Sequence, residues 1–219
     1  MKYLELLREA LISWRKNPES SIPFLLQSVI ISMYLFMLGL QDVTNITDEF
    51  IQRVMSSLPL LFSSFFAVLV LSSYFEAVGL GMIRYKRGMW KYGKRFWWSI
   101  FLINLLSLLL YLCTAVPLTF VSISAVPFLM ALIALALMFS KYIAVHKNYD
   151  AVKSMKKSAR LLIKKPKVVL SSGIIVFAMV APFTLLNVFS PYLFSILAGA
   201  FLQPWSAYFL FSVCERVVR

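Results

Sequence analysis

Apolar and polar positions along the chain fall into long blocks, unlike the short alternations of a soluble fold. Six stretches are nearly free of charge: 22–40, 58–83, 97–113, 126–140, 168–189 and 193–214. A helix needs ~20 apolar residues to cross the ~30 Å hydrocarbon core of a bilayer, and most of these stretches reach or approach that length. The 126–140 stretch is short, and becomes adequate when it runs on to residue 145 with Lys141 snorkelling to the interface. The pattern predicts an all-α, polytopic membrane protein with six transmembrane helices over 22–40, 58–83, 97–113, 126–145, 168–189 and 193–214.

The segments between the blocks are amphipathic. Residues 150–165 set Val152, Met155, Ala159 and Leu162 at spacings of 3, 4 and 3, a helical stripe, with Lys153, Lys156, Lys157, Arg160 and Lys164 on the remainder. Asp150 is suited to cap that helix by accepting from its first free amides. Residues 2–17 set Tyr3, Leu7, Ala10, Leu11 and Trp14 against Lys2, Glu5, Arg8, Glu9 and Arg15. Such helices lie in the membrane interface, apolar face down. Residues 84–96, holding Gly88 and Gly93, form a poorer helix and read as a basic interfacial segment or turn. Trp90, Tyr92, Trp97 and Trp98 there resemble an aromatic belt.

Composition agrees. The chain has 219 residues, 61% hydrophobic and 14% charged, with a mean hydropathy of +0.82. A soluble domain is about half apolar and a quarter charged, so soluble, disordered, collagen-like and disulfide-scaffold readings are excluded and a single membrane domain remains. Charge then orients it. Segments 2–19, 84–95, 141–167 and 215–219 hold 21 of the 22 basic residues. Segments 41–56, 114–125 and 190–191 carry only Arg53, against Asp42, Asp48 and Glu49. The first set sums to +16 and the second to −2, with Glu76 inside a span, for a net +13. Basic residues beside short loops stay cytoplasmic, so an even number of spans puts both termini inside a cell membrane. The same excess in a soluble chain would suggest nucleic acid; in this distribution no nucleic-acid partner is expected.

No cleavable signal peptide is expected, because the first apolar run follows a charged helix and ends without a small-residue cleavage site. Cys113 and Cys214 fall at opposite faces, too far apart to pair within one chain. Asn45-Ile46-Thr47 matches a glycosylation sequon on the outer side, only a few residues past the first span.

Three inner segments share a pattern. Arg8, Leu11, Trp14 and Lys16 match Lys86, Met89, Tyr92 and Lys94 at a shift of 78, and Lys156, Ala159, Leu162 and Lys164 at a further shift of 70. Pro18 and Pro166 also correspond, each where a span begins. Fixed-period similarity of this kind is the mark of duplicated units, here a basic amphipathic element followed by a hairpin of spans. The run from Tyr149 through Asp150-Ala151-Val152-Lys153-Ser154-Met155-Lys156-Lys157-Ser158-Ala159-Arg160-Leu161 to Leu162, followed by Lys164-Lys165-Pro166 and a span, resembles the YciC-type membrane proteins and the membrane domain attached to glycerophosphoryl diester phosphodiesterases. Glu9-Ala10-Leu11-Ile12-Ser13-Trp14 resembles the same element. The resemblance implies a prokaryotic cell membrane and a non-catalytic role; no phosphodiesterase domain is present, so that activity does not carry over.

Candidate chemistry is sparse. Gln27, Glu76 and Asn104 share a depth of roughly 12–13 Å from the basic edge at 1.5 Å per residue, and Gln203 lies deeper, at roughly 18 Å. Asn104 and Gln27 can donate to Glu76 as helix-to-helix glue, or Glu76 can titrate during passage of a substrate or proton. Pro182 and Pro204 interrupt the last two spans and are expected to kink them. Ala77, Gly79 and Gly81, and Ser195 with Gly199, suit close helix contact. One histidine, His146, and no Asp within a span leave no metal-ligand or nucleophile–base set, so neither catalysis nor a cofactor is expected. Two readings stay open. One is a non-catalytic module engaging anionic lipid headgroups, a membrane-protein partner or a second copy through Lys16, Lys94, Lys153, Lys156, Lys157, Arg160 and Lys164. The alternative is a small transporter or channel with a polar site around Glu76 and kinked final helices.

Overall fold

A computed structural model describes residues 2–37, 58–86, 89–121, 123–184 and 196–218. The outer segment with Asn45, and the stretch with Asn187 and Ser195, lie outside the described residues. Every regular element described is helical: α1 (Tyr3–Lys16), α2 (Ser21–Met37), α3 (Leu58–Tyr85), α4 (Met89–Val121), α5 (Val126–Leu137), α6 (Ser140–Lys147), α7 (Ala151–Lys164), α8 (Pro166–Thr184) and α9 (Gln203–Val217). Among the described residues, three helical stretches are long and apolar enough to cross a membrane: Ser63–Tyr85, Lys91–Thr119 and Val126–Lys147. Phe128, Ile174 and Phe177 stand 67–78% exposed on outward faces. Apolar surface of that kind marks contact with lipid or a partner.

α9 is the most enclosed element, with Ala207, Tyr208, Phe209, Leu210, Phe211, Val213, Cys214 and Val217 all buried. Around its end the four basic segments meet. Arg84 donates to Glu215 at 2.6 Å, Arg216 donates to Glu9 at 3.0 Å, and Lys165 Nζ donates to the Val217 carbonyl at 3.0 Å. Leu6 and Ala10 of α1 are buried, and Tyr3, Leu7 and Trp14 pack against the same core. The apolar stripe of α1 is therefore largely covered by protein, and Leu4 is left exposed beside it.

Three local features depart from the hydropathy pattern. First, the turn after α3 is short: Lys86 takes a left-handed φ of 56°, and from Met89 the chain is helical straight into the third span. Gly93 is tolerated inside that helix because a Cβ there would lie 2.5 Å from Val78 Cγ2 and 2.8 Å from Tyr74 Cζ; its bareness lets α4 seat on α3. Tyr92 stacks on Tyr85 with ring centroids 4.6 Å apart, while Trp98 stays exposed.

Second, the fourth predicted span is two helices, α5 and α6, interrupted at Met138 and Phe139. The interruption is held from α7: Ser158 Oγ donates to the Ala136 carbonyl at 2.7 Å and accepts from the Phe139 amide at 3.2 Å. Third, α7 buries Ala151, Ser154, Ser158 and Leu161, one position away from the stripe of Val152, Met155, Ala159 and Leu162. Val152 is 66% exposed as a result. The hydrogen bonds of Ser158 set that register, and Asp150 caps the helix as expected, accepting from the Lys153 amide at 2.7 Å.

Pro166 opens α8, where its missing N–H costs nothing. Pro182 lies inside α8. Pro204 sits in the first turn of α9, directly after a π-helical turn over Ala198–Leu202, so the irregularity expected near it takes that form.

Candidate functional site

Four helices, α3 to α6, and Gln27 of α2 line an open cleft of about 510 Å³. Along α3 it is lined by Phe65, Leu69, Ser72 and Glu76, a spacing of 4, 3 and 4 that keeps all four on one helix face. From α4 come Asn104, Ser107 and Tyr111, spaced 3 and 4. The opposite wall comes from α5 and α6, with Lys141, in the first turn of α6, at the floor.

That floor overturns one expectation. Lys141 does not snorkel away from the bundle. Its Nζ donates to Glu76 Oε1 at 2.7 Å and Oε2 at 2.9 Å. Asn104 Nδ2 adds a third hydrogen bond, donating to Glu76 Oε2 at 3.1 Å, and also donates to Ser73 Oγ at 2.9 Å. Glu76 is thus not a lone carboxylate: it has the basic intramembrane partner that its surroundings in sequence do not reveal. The side chain of Glu76 is 14% exposed and that of Lys141 30%. Breaking a buried pair by removing one member costs about 3–5 kcal/mol, and the partial exposure of Lys141 moves this pair toward the low end.

The glue and mechanism readings divide on this geometry. Asn104 is bonded to Glu76 as glue requires, and Gln27 lines the same cleft without bonding to the carboxylate. Gln203 is separate: it opens α9, and its Oε1 is buried with no hydrogen-bond partner among the described residues. The missed member is Lys141, whose only signal was the shortness of the 126–140 block.

A second feature lies at the basic end. Tyr149, Lys153, Lys156, Lys157, Arg160 and Lys164 line a cleft of about 330 Å³ on α7. The ammonium groups of Lys153 and Lys157 lie 4.3 and 5.2 Å from the centroid of the Tyr149 ring, within cation–π range. At this end Arg84 is paired with Glu215 and Arg216 with Glu9. Among the described residues, none of the five cations lining this cleft has an acidic partner. The apolar Val152 and Ile163, 66% and 80% exposed, flank them along one edge. Lys16 and Lys94 are exposed on α1 and α4, outside this cleft. Comparison with protein families, with curated proteins and with solved structures finds no match to this chain, so what these two clefts do has to be read from their own chemistry.

Proposed function

We propose that the chain is a non-catalytic, six-crossing protein of a prokaryotic cell membrane, with both termini cytoplasmic, that engages anionic lipid headgroups through its basic inner face. The observation that carries this reading is the α7 surface: five cations without acidic partners, rimmed by the exposed apolar side chains Val152 and Ile163. A helix of this kind sinks its apolar rim at the acyl boundary while its cations meet the headgroups. The acids nearby are already committed to Arg84, Arg216 and the cap at Lys153, so an external anion is the remaining partner for α7. The resemblance to YciC-type proteins, which rests on this same helix, fits the reading. It needs no cofactor.

Two supports bear on topology. The ion pairs and the Lys165–Val217 hydrogen bond that gather residues 9, 84, 165 and 215–217 at one end of the bundle agree with an even number of crossings. The charge asymmetry of the chain puts that end in the cytoplasm. With Cys113→Ser as background and Cys214 fully buried in the core, cysteines introduced at Lys94 and Lys156 are expected to react with an impermeant maleimide only in inside-out vesicles. Reaction from opposite sides overturns the six-crossing layout.

Each cation near an anionic leaflet contributes about 1 kcal/mol, so neutralising three weakens the preference roughly a hundredfold. The triple variant K153Q/K157Q/R160Q is expected to lose retained phosphatidylglycerol relative to phosphatidylcholine by about that factor, read by native mass spectrometry of the purified protein. Equal retention of the two lipids by the wild type counts against the proposal.

A further inference from the structure

The intramembrane cleft is a second site, argued independently of the α7 surface. We propose that it binds a zwitterion with an apolar body, whose ammonium meets Glu76 and whose anionic oxygens meet Lys141.

Charge balance leads to this class of ligand. The floor holds one anion and one cation joined at 2.7 Å. A ligand of single charge can take only one of them: an anion that takes Lys141 strands Glu76, which is 14% exposed, and a cation that takes Glu76 leaves Lys141 without its counter-charge. A ligand carrying both signs exchanges one internal pair for two new ones and strands nothing. The two partners are also unequally fixed. Glu76 is anchored by Asn104, which also donates to Ser73, whereas Lys141 sits on a flexible stem and is the more exposed. Lys141 can therefore swing off Glu76 to admit the ligand while the carboxylate stays in place.

The rest of the cleft suits such a molecule. The side chains of Gln27, Ser107 and Tyr111 line it and make no hydrogen bond among the described residues, so they are available to a polar head. Beyond them Phe65, Leu69, Leu108 and Leu137 form apolar walls for its body. The volume of about 510 Å³ falls within the range of small-ligand sites. Two sources share this chemistry: a free apolar amino acid, and the headgroup of an aminophospholipid.

The test uses the purified full chain and thermal unfolding. L-leucine is compared with 4-methylpentanoate, which lacks the ammonium, and with 3-methylbutylamine, which lacks the carboxylate. In a second arm phosphatidylethanolamine is compared with its N-acetylated form. A zwitterion at ten times its Kd is expected to raise Tm by roughly 3–6 °C, and its single-charge relatives to leave it unchanged. A response to leucine alone assigns the site to a free solute, and a response to the aminophospholipid alone assigns it to a headgroup. Because Glu76→Gln can perturb folding, the site is located with Ala134→Phe: Ala134 lines the cleft from α5, two turns before Lys141, and the bulkier side chain is expected to abolish the response while keeping the unliganded Tm. The proposal is overturned if a single-charge analogue matches the zwitterion, if A134F responds like the wild type, or if no zwitterion shifts Tm up to about 10 mM, ten times a millimolar Kd.

Discussion

Lys141→Ala is expected to lower the Tm of the purified protein by roughly 6–12 °C, the shift that about 3 kcal/mol produces in a chain of this size. The loss comes from what is left behind. Glu76 stays at the floor of the cleft, 14% exposed, with Asn104 as its remaining donor, and no rotamer carries a short carboxylate to the membrane surface. Glu76→Gln is expected to cost distinctly less. Glutamine keeps the hydrogen bond with Asn104, and the released Lys141 has a four-carbon stem and lies only six residues, about 9 Å, from the basic edge at Lys147, so its ammonium can reach water. The double variant E76Q/K141M leaves no charge in the cleft and is expected to recover most of what K141A loses, giving a coupling energy well above zero in a double-mutant cycle. Equal Tm values for K141A and E76Q would show that the pair is not held as the geometry has it.

The same pair marks where the amino-acid sequence stops being legible. The blocks announced the helices, because hydropathy reports on solvent and needs no knowledge of neighbours. Asp150 announced its cap and Pro166 the start of α8 for a similar reason, since each acts on backbone within a turn of itself. That Gln27, Glu76 and Asn104 come to one cleft was also readable, from counting residues along neighbouring helices. Lys141 was not. Its partner is 65 residues away on α3, and the helix interruption just before it is bonded by Ser158, about twenty residues on, which satisfies the Ala136 carbonyl and the Phe139 amide. A local pattern cannot see a hydrogen bond supplied by another helix. The register of α7 was hidden in the same way: Ser154 and Ser158 are buried although polar, and a stripe drawn by hydrophobicity passes beside them. α1 shows a third case, in which amphipathicity correctly marks a face but does not say whether lipid or α9 covers it.

The second large effect concerns how closely α3 and α4 approach. A Cβ built on Gly81 runs into Tyr92 Cβ and lies 3.0 Å from Tyr92 Cγ, with the Tyr92 backbone just behind. The obstruction sits at the root of a side chain already stacked on Tyr85, which itself stacks on Phe96, so no rotamer change relieves it and the helices have to part. Gly173 offers the contrast. A Cβ there meets only Leu135 Cδ2, at 2.5 Å, with the next atom at 3.9 Å, and the far end of a leucine can turn aside. Overpacking a well-fitted contact costs about 1–3 kcal/mol, so Gly81→Ala is expected at the upper end of that range and Gly173→Ala below its lower end. Parting α3 from α4 would also separate Ser73 and Glu76 from Asn104, which bridge the two helices at 2.9 and 3.1 Å. G81A is therefore expected to lose ligand-induced stabilisation at the cleft along with Tm, whereas G173A keeps it. Matched Tm losses in the two alanine variants, measured by thermal unfolding in the same detergent, would mean that the close approach at Gly81 is not what holds α3 against α4.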